Sequence, residues 1–201
     1  MSDEDGASDE VPLHRRSIVY EAFDRGDELR VVGRLTDVRP WADTEAGDWV
    51  SLVHDMELAV TVRVADLTIT EVDARMHTFP HTECPAIVDA FSSLVGLSVA
   101  RGYTREVQQR FGGPKGCSHL EHLARSLGPV VVQSVTSRRA REVSRGEAPD
   151  LVSGMSTPWA RNSCHIWAEG GVADQKLAAG WRPGTGPYPS LPVEVIRRSH
   201  E

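Results

Sequence analysis

Hydrophobic and polar residues alternate through most of the first eighty positions. "RSIVYEAF" alternates, "DRGD" reads as a turn, and "ELRVVGRLTDV" alternates again, so residues 17–38 predict a β-hairpin. "RPWADTEAGD" reads as a loop. In "WVSLVHDMELAVTVRV", Leu52, Met56, Leu58, Val60, Val62 and Val64 fall on one face, with His54 in register among them. "LTITEVDARMH" predicts a fourth strand. The period then changes. "CPAIVDAFSSLVGL" sets Ile87, Ala90, Phe91, Leu94 and Val95 at helical spacing, with Pro85 in the first turn. "TREVQQRFG" predicts a short helix capped by Thr104 and stopped at Gly112. "SHLEHLARSL" predicts a third, with Ser118 and Glu121 as a capping box and Leu120, Leu123 and Leu127 as its stripe. Gly128-Pro129 is expected to break or kink it, and periodicity leaves "VVVQSVTSRRAREV" open between helix and strand. The pattern as a whole predicts an α+β domain over residues 13–144, an antiparallel sheet followed by packed helices.

From about Ser144 the composition shifts to Gly, Pro, Ser and Trp. Residues 145–201 read as an irregular arm packing Trp159, Trp167 and Trp181 on the domain or on a partner chain, with a homodimer as one outcome. The opening "MSDEDGASDE" has no large apolar residue after Met1, so residues 1–12 read as a disordered acidic tail. The 201 residues suit one domain with a sizeable core. A net charge of −7 argues against nucleic acid or an anionic membrane as partner. No apolar run approaches the roughly 18 residues needed to span a bilayer, and the acidic N-terminus is the reverse of a secretory signal. A cytoplasmic protein is therefore expected. Three cysteines, Cys84, Cys117 and Cys164, make a disulfide framework improbable and raise the weight of metal or thiolate roles.

The candidate chemistry gathers at element junctions. In "GGPKGCSHLEHL", Cys117 stands at a helix start, where the backbone favours a thiolate able to bind metal or attack an electrophile. A small side chain packed under the loop is the plainer alternative. "C-S-H-L" resembles half of a Rieske motif, but the second half is missing. A phosphate loop needs Ser or Thr directly after its Lys, whereas Lys115 is followed by Gly116. The polar pair His54-Asp55 in an apolar strand needs hydrogen bonds or a metal. Cys84 follows "HTFPHTE", whose His77 and His81 read as exposed loop residues, and His122 as a solvated one. His14, Arg15, Arg16 and Asp37 lie near the predicted hairpin, where Asp37 could either orient a histidine or arginine or cap a turn. Arg161, Cys164 and His165 are polar groups in the arm that could cover a pocket.

Two resemblances follow from these motifs. "LHRR", "GRLTDVRPW", "HDMEL", "CPAI", "LVGLSV" and "FGGPKGCSHLEHL" together resemble an uncharacterised bacterial domain family of unknown function, over roughly residues 13–135. The element order from residue 50 to 136 is also similar to the U-type iron–sulfur cluster scaffold family. That likeness implies that Cys84 and Cys117 match two family cysteines, with His54 or Asp55 at a third ligand position. It also favours helix for residues 130–143. A mixed Cys/His/Asp set suits a divalent metal, zinc or iron, better than a cluster. The resulting expectation is a metal-dependent lyase or hydrolase acting on a small organic molecule, with aromatic and polycyclic compounds among the candidates. His54, Asp55, Cys84 and Cys117 would hold the metal, and His119, Asp37 and His14 would do catalytic work. A metal or cluster carrier and a homo-oligomeric interaction module are the alternatives.

Overall fold

The computed structural model describes residues 10–45, 47–149, 151, 162–184 and 186–199. Four strands, β1 (Arg15–Asp24), β2 (Glu28–Val38), β3 (Leu52–Arg63) and β4 (Thr68–Thr78), form one antiparallel sheet in chain order. Helices α1 (Tyr103–Phe111) and α2 (Ser118–Ser144) follow. This is the α+β architecture that the change of period predicts. The chain divides into two compact units, residues 1–132 and 133–201.

In the first unit the alternation decides which face is buried. Leu29, Val31 and Leu35 of β2 and Met56, Leu58, Val60 and Val62 of β3 have essentially no exposed surface. All of these but Leu29 pack with Phe91, Leu94, Val107, Phe111, Leu120, Leu123, Leu127 and Val131 in a single core. The other face carries ion pairs and hydrogen bonds, including Arg34 with Asp55, Arg75 with Asp73 and Thr61 with Glu71.

Tyr20 on β1 lies across Gly33 of β2. A Cβ at Gly33 would stand 2.4 Å from the Tyr20 ring, so glycine leaves the space the ring fills. The phenol then donates to the Leu123 carbonyl of α2 at 2.8 Å. One side chain thus joins the edge strand to the helix above it. Burial pushes the Tyr20 phenol up to about 12. Gly33→Ala is expected to cost about 1–3 kcal/mol, the usual range for overpacking. The readout is a lowered urea midpoint, and unchanged stability would mean that the ring moves aside freely.

Four helical expectations are corrected. Residues Cys84–Leu94 form a 3₁₀ helix where an α-helix is expected. Ser92 and Ser93 return their hydroxyls to the Asp89 and Ala90 carbonyls at 2.7 and 2.8 Å. Val88, Phe91 and Leu94 recur every three residues, the 3₁₀ repeat, so the tighter winding aims all three at the core. Phe91 stacks on Phe111 with ring centroids 4.3 Å apart. Helix α1 starts at Tyr103 after Gly102, whose left-handed φ of 65° suits glycine, and not from a Thr104 cap. Helix α2 runs unbroken through Gly128-Pro129 to Ser144. Gly128 faces the Val99 carbonyl and the Tyr103 ring, so the close packing of this turn holds the helix past its proline. At its start the Cys117 carbonyl accepts the Glu121 N–H at 2.8 Å, which places the cap one residue before Ser118.

In the second unit, residues 145–201 carry two short helices. Helices α3 (Val172–Ala178) and α4 (Val193–Arg198) bury Ala173, Val193 and Ile196. Lys176 bonds Ser190 Oγ at 2.7 Å and lies 5.9 Å from the centre of the Trp181 ring. Trp167 and Trp181 are half-buried. Trp159, Arg161 and residues 1–9 of the expected acidic tail lie outside the described residues. Among the described residues, no helix is long and apolar enough to cross a membrane.

Candidate functional site

Asp37 sits on the core face of β2, two residues beyond Leu35, with its side chain 1% exposed. A carboxylate there must be compensated. Register supplies the partners. Arg16 on β1 and His54 on β3 are its direct cross-strand neighbours. Arg16 donates from Nε to Oδ1 and from Nη2 to Oδ2, both at 2.7 Å, the bidentate geometry of a strong guanidinium–carboxylate pair. His54 Nδ1 lies 3.1 Å from Oδ2. His14, just ahead of β1, brings Nε2 to 3.1 Å from Oδ1. The first turn of α2 lowers His119 onto the same carboxylate, with Nε2 3.2 Å from Oδ2. The His54 and His119 rings stack at 3.9 Å between centroids. Cys117 Sγ lies 3.6 Å from His119 Nδ1.

Burial alone would raise the Asp37 pKa. The Arg16 hydrogen bonds and charge, with help from His119 and His14, overcome this and hold it at about 2. Burial, then the neighbouring His54, push the His119 pKa down against the pull of Asp37. At neutral pH the centre therefore has an ionised carboxylate and a neutral His119.

Among the described residues, Asp37, His54 and His119 form the one group of three with ligand atoms all within 4.8 Å. In a tetrahedral site with bonds of about 2.0–2.1 Å, ligand atoms stand about 3.3 Å apart. The 3.1 and 3.2 Å contacts to Oδ2 are close to that edge. Two imidazoles on one such ion would hold their ring centres about 5 Å apart, so binding must open the 3.9 Å stack. The ligand atoms are near the required spacing, and a bound ion would need the two rings to part.

The structure brings His14, Asp37, His54 and His119 together, with Cys117 beside them. It does not bring in Asp55 or Cys84. Asp55 follows His54 on β3, so it points to the opposite face, where Arg34 donates to it at 2.7 and 2.5 Å. The Arg34 hydrogen bonds hold its pKa below the ordinary carboxylate value. Cys84 opens the 3₁₀ helix, half-buried and outside the ligand group. All three cysteines are free thiols. Arg16 is the member that sequence reasoning left without a role. Its signal is the hairpin register, which sets it opposite Asp37.

Residues from four separated stretches, "LHRR", "LTDV", "HDM" and "GCSHL", thus meet at one end of the sheet. A family model described as a protein of unknown function (DUF2889) matches residues 14–133, more than half of the chain. The chain belongs to the DUF2889 family. The match begins at His14 and contains the whole Asp37 centre. No curated protein and no solved structure matches the chain.

Proposed function

We propose that this DUF2889 protein is a metal-dependent enzyme, a hydrolase or lyase of small organic molecules, whose divalent ion is held by Asp37, His54 and His119. The observation that carries this reading is the approach of one buried carboxylate and two imidazoles from three separate elements, with ligand atoms within 4.8 Å. Asp37 and His119 have the protonation that metal binding needs, an ionised carboxylate and a neutral imidazole. The donor set, rich in N and O, favours zinc or mononuclear iron over a thiolate-bound cluster, and so an enzyme over a cluster carrier.

A divalent ion bound here would supply Lewis acidity toward a carbonyl group or a water molecule. The protein's own groups do the rest. Arg16 fixes the carboxylate plane by two bonds. Cys117 lies on the far nitrogen of His119 and favours one ring orientation, as outer partners of metal-binding histidines do. His14, 53% exposed and 3.1 Å from Oδ1, is placed to exchange a proton with solvent. The proton-carrying role expected of His119 passes to it, because His119 is committed to the ion.

Elemental analysis of protein purified from zinc- and iron-supplemented cells tests the reading. About one ion per chain is expected, unchanged in Cys84→Ala. Metal-free protein that takes up neither ion on reconstitution overturns it.

A second reading has its own observation. Cys117 Sγ, His119 Nδ1 and Nε2, and Asp37 Oδ2 form a continuous relay with steps of 3.6 and 3.2 Å, the order nucleophile, base, orienting acid. In that case the thiol attacks a carbonyl carbon, its proton passes to His119 Nδ1, and that proton leaves with the departing group. Metal-free protein whose Cys117 reacts with iodoacetamide faster than in His119→Ala would favour this reading.

A further inference from the structure

The loop between Asp37 and His54 carries an aromatic pair. Trp41 and Trp49 meet edge to face, with ring centroids 5.6 Å apart at 63°. The Trp41 indole N–H donates to the Leu13 carbonyl at 3.1 Å, which ties the loop to the residue before His14. The loop is closed at its base by the Arg39 N–H to the Ser51 carbonyl at 2.8 Å, and Ser51 Oγ donates to Asp43 at 3.0 Å. It is therefore held in shape, yet its apolar groups face solvent. Trp49 is 59% exposed, Val50 64% and Leu13 80%. Trp41 follows Asp37 by four residues and Trp49 precedes His54 by five, so both backbones lie within about 18 Å of the polar centre at full extension.

Exposed apolar surface beside a polar centre marks a binding surface. Its size decides the occupant. Two indoles bury at most a few hundred Å² between them, short of the roughly 800 Å² per side that a stable protein partner needs. Trp49, more than half exposed and in edge-to-face contact with Trp41, offers surface for one flat ring system. We propose that Trp41 and Trp49 form the wall that binds a planar aromatic substrate, whose oxygen-bearing substituent reaches toward Asp37, His54 and His119. This rests on the reading of that centre as a small-molecule enzyme site.

Calorimetric titration with 2-naphthoate, and with cyclohexanecarboxylate as a non-planar acid, tests the wall without measuring turnover. Naphthoate is expected to bind at least tenfold tighter than the cyclohexane acid. Trp49→Ala should erase that preference and Trp49→Phe should keep most of it. Equal affinity for the two acids, or a preference unchanged in Trp49→Ala, overturns the proposal. Zinc content measured on the same samples separates the two ideas. A zinc-free protein with a Trp49-dependent preference sinks the metal reading and leaves the wall. A zinc-loaded protein without the preference does the reverse.

Discussion

Asp37→Asn is expected to destabilise the protein by about 2 kcal/mol at pH 7. Asp37 is 1% exposed, and its pKa falls from 3.8 to about 2 although burial alone would raise it. At about 1.4 kcal/mol per pKa unit this corresponds to some 2.5 kcal/mol. Arg16 is 39% exposed, so solvent screening brings the figure nearer to 2. The amide keeps the shape but turns an NH₂ group toward one of the donors that Asp37 satisfies. The sign in pH follows from the depressed value. The carboxylate's contribution is complete above about pH 4 and is lost as pH falls through about 2. Wild type and variant should therefore differ most in urea midpoint near neutrality and converge in acid. A gap that stayed constant from pH 7 to pH 2.5 would show that the charge of Asp37 does not hold the site together.

Replacing either imidazole should have a larger effect on metal than on folding. His54→Ala and His119→Ala are each expected to weaken zinc binding on the order of 100-fold, since each removes one of three ligands. Their side chains are 19% and 15% exposed, so the holes they leave are partly open to water and the stability loss stays modest. Asp55→Asn is the matched control. It removes a carboxylate one residue from His54, but on the other face of the sheet and paired with Arg34. Competition with a chromophoric chelator reads the three affinities on one scale. A fall in Asp55→Asn matching that in His54→Ala would move the ion to the opposite face.

These two variants also mark how far the sequence could be read. Alternation put His54 on the core face of its strand, and β3 obeys that pattern. The same argument applies to Asp37, which continues Leu29, Val31, Gly33 and Leu35 at period two. Pairing across strands depends on register, however, and a period of two fixes the face without fixing the neighbour. For that reason the Arg16–Asp37–His54 row was not legible, although all three residues drew notice singly. Cys84 and Asp55 entered the metal set through a likeness in element order, which places residues along the chain and not across the sheet. The Cys84–Leu94 winding was hidden for another reason. An apolar pattern of Val88, Phe91 and Leu94 serves a 3₁₀ helix and one face of an α-helix alike, and the serine hydroxyl bonds that accompany the tighter turn are visible only in three dimensions. The unbroken course of α2 through Pro129 depends on packing around Gly128 that local propensity does not contain.

The Tyr20 hydroxyl that bonds the Leu123 carbonyl lies one helical turn beyond His119. That bond, and the buried strands beneath it, tie Asp37, His54 and His119 to the part of the molecule whose amides should exchange with solvent most slowly. The β2–β3 loop is held by backbone bonds of its own, but its exposed tryptophans stand outside that buried core. A molecule resting on Trp49 would thus meet a surface already in shape while the Asp37, His54 and His119 side chains keep their places. Access and precision are assigned to different parts of the same fold.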